Sequence, residues 1–125
     1  MILPAAFLLL AAAFPVPGPD VPPTVATEVE RLLTVLGHSD CRFERNGAWH
    51  AAAEAESHLR NKYEHLARKR LVKSTEDFIA GAGERSSLSG RPYQVECPGQ
   101  AAQPSGTWLR ERLYEMRRAR QAAAP

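Results

Sequence analysis

Cys41 and Cys97 are the only cysteines in a chain of 125 residues, and they stand 56 positions apart. A bond between them would close most of the folded chain into one loop and hold the segments on either side of it together. In the chain-entropy picture such a loop contributes roughly 4 kcal/mol, a large share of the roughly 5–15 kcal/mol that stabilises a small domain. A zinc pair would need the close Cys-x-x-Cys spacing that is absent here, and a redox-active pair favours adjacent thiols. An even count favours a structural disulfide, provided that the chain enters an oxidising compartment.

The N-terminus points to such a compartment. The first charged residue is Asp20, and Met1 to Val16 read MILPAAFLLLAAAFPV. This apolar run is shorter than the roughly 20 residues that a membrane-spanning helix needs, and Pro4 and Pro15 bracket it. It has no polar face that would let it serve as an ordinary surface helix. A secretory signal over residues 1–18 is the expectation, with Ala11-Ala12-Ala13 supplying the small residues before cleavage. Its n-region has no Lys or Arg. A proline-rich linker over 19–24 follows, stiff and extended.

The rest is long enough for one domain and too short for two. Charged residues make up 24% and hydrophobic ones 44%, a globular composition rather than a disordered one. The net charge of +2 is too small to identify a nucleic-acid partner.

Helical and extended signals alternate along residues 25–120. Thr24 can cap a helix that places Val25, Val29, Leu32, Leu33 and Leu36 on one face, with Gly37 ending it. The stretch 41–45 alternates like a strand, and Asn46-Gly47 is a strong hairpin signal that would pair Arg45 with Ala48 and Glu44 with Trp49. Ala51 to Arg70 contains no Gly or Pro and carries an inward stripe of Ala55, Leu59, Tyr63, Leu66 and Ala67. Ser74-Thr75-Glu76-Asp77 opens another helix with a capping-box pattern, and Phe78, Ile79 and Ala82 would point inward. Ser89-Gly90-Arg91-Pro92 reads as a turn and 93–97 as a strand. Ser105 precedes a helix carrying Trp108, Leu109, Arg112, Leu113 and Met116, and the alanine-rich end at 121–125 is expected to fray into a disordered tail. The fold class is α+β: about four helices on a minimal two- to three-stranded sheet, with one disulfide.

Four groups of residues occur in an order that suggests a family. They are Phe43, Arg45, Asn46, Gly47 and His50; Glu54, Ala55, His58, Leu59, Arg60 and Lys62; Thr75 to Ile79; and Ser86, Ser87, Ser89, Gly90, Pro92 and Tyr93. The series resembles the YfeK-like family of small exported bacterial proteins, a domain of unknown function, over roughly residues 25 to 116. The resemblance implies a periplasmic or secreted location and a shared fold, and it brings no activity. Ala51 stands where family members often have Ser or Thr, and Glu64 to Leu71 is longer and more basic than the family pattern.

Two surfaces are candidates for function. On a continuous helix His50, Glu54 and His58 would share one face at i, i+4 and i+8, a set that suits a metal ion or proton transfer. His50 belongs instead to the hairpin if the helix starts later, and the HExxH pattern is absent. Arg60 and Lys62 join the candidate binding face. They belong to a basic run, 57–73, with six Lys and Arg against one acid, and 108–125 carries five Arg against two Glu. Such a surface suits phosphate, an anionic lipid headgroup or an acidic cell-wall polymer, or it is simply a solvated helix face. Ser86-Ser87-Leu88-Ser89-Gly90 lacks the Gly-x-Ser-x-Gly elbow of a nucleophile and reads as chain reversal.

The sequence therefore predicts an exported binding or structural component of the cell envelope, with no catalytic residue, metal or cofactor assigned. Its expected partner is an anionic envelope component or another periplasmic protein, and nucleic acid is the least favoured. The alternative is a small metal-dependent hydrolase using His50, Glu54 and His58.

Overall fold

The computed structural model describes Ile2, Pro4, Ala5 and residues 20–125. The expected signal segment otherwise lies outside the described residues. Helix α1 spans Pro23–Gly37, strands β1 and β2 span Arg42–Arg45 and Ala48–Ala51, and helix α2 spans Ala52–Arg68. A short helix α3, Thr75–Phe78, runs into a π-helical turn at Ile79–Gly83. Strands β3 (Gln94–Glu96) and β4 (Gln103–Pro104) then lead into helix α4, Ser105–Ala123.

Helix α1 starts earlier than Thr24 would set it. Pro22 occupies the cap position and Pro23 the first turn, where a missing N–H costs nothing because no intrahelical acceptor exists there. Pro23 and Thr24 thus open the helix instead of extending a linker, and Val21 already lies in the core. Val29, Leu32, Leu33 and Leu36 form the buried stripe of α1.

The sheet is antiparallel throughout, in the order β2-β1-β3-β4. It is one strand larger than expected, because β4 is a two-residue edge strand containing Pro104, which is tolerable only at an edge. The β1–β2 hairpin pairs Arg45 with Ala48 and Glu44 with Trp49. Asn46 and Gly47 both take positive φ, 51° and 86°, the conformation that a two-residue type I′ turn demands. Phe43 pairs with Val95 on the inner face, where both are buried. The disulfide joins Cys41 to Cys97, one residue outside the last β1–β3 pair, with a Cα–Cα distance of 4.1 Å.

The core lies between the inner face of the sheet and the helices. Trp108 meets Phe43 edge-on at 5.9 Å between ring centroids, and Tyr63 meets Phe78 in the same manner at 5.5 Å, arrangements favoured by the ring quadrupoles. Phe78, Ile79 and Ala82 are fully buried. Gly83 lets the chain pack closely on α4, since a Cβ there would force the buried Leu109 side chain to shift. Ser74 caps α3 by accepting from the Asp77 N–H at 3.0 Å. The Asp77 carboxylate reaches back one residue further than a capping box predicts, to the Lys73 N–H.

Helix α2 ends two residues before Arg70. The Leu71 N–H donates to the Leu66 carbonyl and the Arg70 N–H to that of Ala67, while Arg70 itself adopts φ 58°. This is a Schellman closure with arginine where glycine is usual. At the other end of the chain, α4 continues through Ala123, past the point of expected fraying, because alanine is the best helix former.

One polar cluster sits inside this packing. The Glu28 carboxylate, on the buried side of α1, accepts from Thr75 Oγ1 at 2.6 Å, from Arg117 Nε and Nη2 at 3.0 Å each, and from Arg120 Nη2 at 3.1 Å. It clamps α1 to α3 and α4. The Arg117 hydrogen bonds are the chief cause that holds its pKa down at about 2, against the opposing effect of burial.

Candidate functional site

A cavity of about 300 Å³ opens where the β1–β2 hairpin, the residue before β3 and the first half of α2 converge. Register explains its composition. Because Glu44 pairs with Gln94, the next pair along the inner face is Arg45 opposite Tyr93. His58 and Lys62, one helical turn apart on α2, lie on the face turned toward that pair. His50, Glu54, Ala55, Asn61 and Phe43 contribute to the walls.

The hydrogen bonds fix the chemistry of the centre. Arg45 Nη1 lies 2.6 Å from His58 Nδ1, and His58 Nε2 lies 3.1 Å from the Tyr93 hydroxyl oxygen. Lys62 Nζ donates to the same oxygen at 3.1 Å and to the Arg85 carbonyl at 2.9 Å. A guanidinium can only donate, so Nδ1 must present a lone pair and the proton of the neutral imidazole sits on Nε2. Burial, followed by the charges of Arg45, Lys62 and His50, pushes the His58 pKa down to about 4. Burial also lowers the Lys62 pKa, helped by Arg45, and raises that of Tyr93. The ring of Tyr93 also receives the Lys62 ammonium at 5.0 Å from its centroid.

The residues expected to form a binding face separate into two groups. His50 lies in β2, not on the helix, because α2 begins only at Ala52 with an uncapped Ala51 before it. It still meets Glu54, with Nδ1 at 3.1 Å from Oε2, and both line the cavity with His58. Lys62 backs the site through Tyr93. Arg60 lies elsewhere: two residues from His58 it is about 200° around the helix, and it forks onto both oxygens of Glu30 at 2.8 and 2.9 Å and onto Glu56 at 3.4 Å. Arg45 and Tyr93 were not expected here. Arg45 ends β1 and Tyr93 directly precedes β3, in stretches whose alternation is visible in the sequence, but only the β1–β3 register brings them together. Tyr93 reads by itself as another core aromatic.

The basic segments do not form one free surface. Arg60 pairs with α1, Arg110 with Glu84, and Arg117 and Arg120 with Glu28. Arg68, Lys69, Arg70 and Lys73 stay exposed around the end of α2.

Beside the cavity, the 86–91 loop docks on the hairpin tip. Asn46 Nδ2 donates to Ser86 Oγ at 3.1 Å, and Ser89 Oγ donates to Asn46 Oδ1 at 2.6 Å. The buried Ser86 oxygen also accepts the Leu88 and Ser89 N–H groups. It is a structural acceptor, in keeping with chain reversal.

No helix among the described residues is long and apolar enough to cross a membrane. No curated protein and no solved structure matches the chain significantly. A family description does match, over residues 23–117, which takes in the whole sheet, the disulfide and every residue of the cavity. The chain belongs to this family, a family of unknown function designated DUF5329.

Proposed function

We propose that the chain is an exported, disulfide-bonded component of the bacterial cell envelope that acts by binding and not by catalysis. The observation that carries this reading is the state of His58. Both of its ring nitrogens are engaged, by Arg45 and by Tyr93, and with a pKa near 4 it is a poor general base at neutral pH. Glu54 is tied to His50 at the exposed rim, and the Ser86 hydroxyl oxygen already accepts three hydrogen bonds. A cavity with apolar walls and a few oriented polar groups suits a ligand. Export is supported by the uncharged N-terminal run, by the cysteine pairing and by the resemblance to the YfeK-like family. The exposed Arg68, Lys69, Arg70 and Lys73 suit an anionic envelope component.

The geometry does not favour a metal-dependent hydrolase. His58 turns its nitrogens toward Arg45 and Tyr93 rather than toward His50 and Glu54. Among the described residues no three His, Cys, Asp or Glu side chains gather as a metal site. Fractionation of bacterial cells, with mass measurement of the purified chain and crosslinked capture of its partners, tests the proposal. A periplasmic protein that has lost its N-terminal run and two thiol hydrogens is expected. An intact, reduced chain in the cytoplasm would contradict it.

A further inference from the structure

The donors and acceptors around Tyr93 do not balance. With Nδ1 of His58 accepting from Arg45, the Tyr93 oxygen accepts from both His58 Nε2–H and Lys62 Nζ–H. Its own O–H then has no acceptor among the described residues. Among the described residues the only side-chain partner of Arg45 is one imidazole nitrogen, which leaves most of its five N–H groups unused there. Among the described residues neither Arg45 nor Lys62 forms an ion pair, whereas Arg42, Arg60, Arg110, Arg112, Arg117 and Arg120 all do. Two adjacent, partly buried cations and a spare hydroxyl donor therefore converge with no carboxylate paired to either cation among the described residues, and Arg45 and Tyr93 both line the cavity.

We infer that this cavity binds a small organic carboxylate, with the carboxylate group held by the Arg45 guanidinium and the Tyr93 hydroxyl and its apolar body against Phe43, Ala55 and Leu59. The assignment rests on reading the chain as a binding domain. A guanidinium fork matches the planar carboxylate and is strongest when its hydrogen bonds are charge-assisted. Lys62 adds positive charge from behind Tyr93. Glu44 and Glu54 also line the cavity, and their charge opposes a doubly charged phosphate more than a singly charged carboxylate. The volume of about 300 Å³ lies at the small end of ligand sites, which limits the body to a short chain or a single ring.

The test is a titration of the folded, disulfide-bonded, isotope-labelled protein with acetate, butyrate and benzoate, and with inorganic phosphate at matched ionic strength. Butyrate or benzoate is expected to shift the Arg45, His58 and Tyr93 resonances saturably and more tightly than phosphate. Tyr93→Phe deletes one oxygen and keeps the ring in place, and it should weaken binding about tenfold; Arg45→Gln should do the same or more. The inference is overturned if no carboxylate gives saturable shifts there, if Tyr93→Phe binds as well as the parent, or if phosphate binds as tightly as the carboxylates. Failure of binding by a protein that is nevertheless found processed in the periplasm removes this site and leaves the broader proposal standing. Saturable binding followed by chemical conversion of the carboxylate supports the site and overturns the non-catalytic reading.

Discussion

Arg45 Nη1 stands 2.6 Å from Nδ1 of His58, a cation held against an imidazole that can accept its hydrogen bond only by staying neutral. That contact decides how His58 behaves, and through Tyr93 it decides which donors face the cavity.

The first consequence is a pH dependence of stability. The folded pKa of His58, about 4, lies below its unfolded value of about 6.5. Between those two values the unfolded chain binds more protons, so stability falls as pH drops through this window and is unaffected above it. The loss approaches 3 kcal/mol, as an order of magnitude, and partial exposure of the ring reduces it. Urea midpoints of the parent and His58→Asn, measured from pH 7.5 to pH 4, should show this slope in the parent and its loss in the variant.

Glu28 governs the next window down. Its folded pKa of about 2 lies below the ordinary carboxylate value of 4.5, so its contribution is complete above that value and is lost as pH falls toward 2. At neutral pH, Glu28→Gln should cost on the order of 3 kcal/mol, because it strips Arg117 and Arg120 of their shared buried partner. It should also flatten the acid limb below pH 4.5 in a thermal or urea titration.

Arg70 offers a stabilising change. Its φ of 58° is unfavourable for a residue with a Cβ and free for glycine. Arg70→Gly should raise stability by up to about 1 kcal/mol, read as a higher urea midpoint at unchanged slope. An unchanged or lower midpoint would show that the arginine makes a compensating contact.

The disulfide should carry a large part of the stability. Replacing Cys41 and Cys97 together by alanine is expected to cost roughly 2–5 kcal/mol, seen as a lower melting temperature that reducing agent no longer changes. The parent should fall to a similar value on reduction.

Much of this architecture is legible in the sequence because local chemistry dictates it. Asn46-Gly47 sets the hairpin register, Ser74 caps its helix, and the Val29 to Leu36 stripe and the cysteine pair need no tertiary information. The candidate site is legible only in part. His58 and Lys62 share a face by helical spacing alone, but their partners, Arg45 at the end of β1 and Tyr93 just before β3, are 48 positions apart in sequence. Arg60 shows the opposite effect, a residue close in sequence that the helix turns away toward Glu30. Glu28 is similarly hidden, since a charge on the buried side of α1 makes sense only once Arg117 and Arg120 arrive from the end of the chain. The two-residue β4 is too short to have a pattern.

The most direct measurement is a nitrogen-detected titration of the His58 ring by NMR from pH 8 to pH 3.5. The Arg45–His58–Tyr93 arrangement predicts a neutral ring with its proton on Nε2 throughout the neutral range and a midpoint near pH 4. A midpoint near 6.5, or a neutral ring protonated on Nδ1, would contradict it.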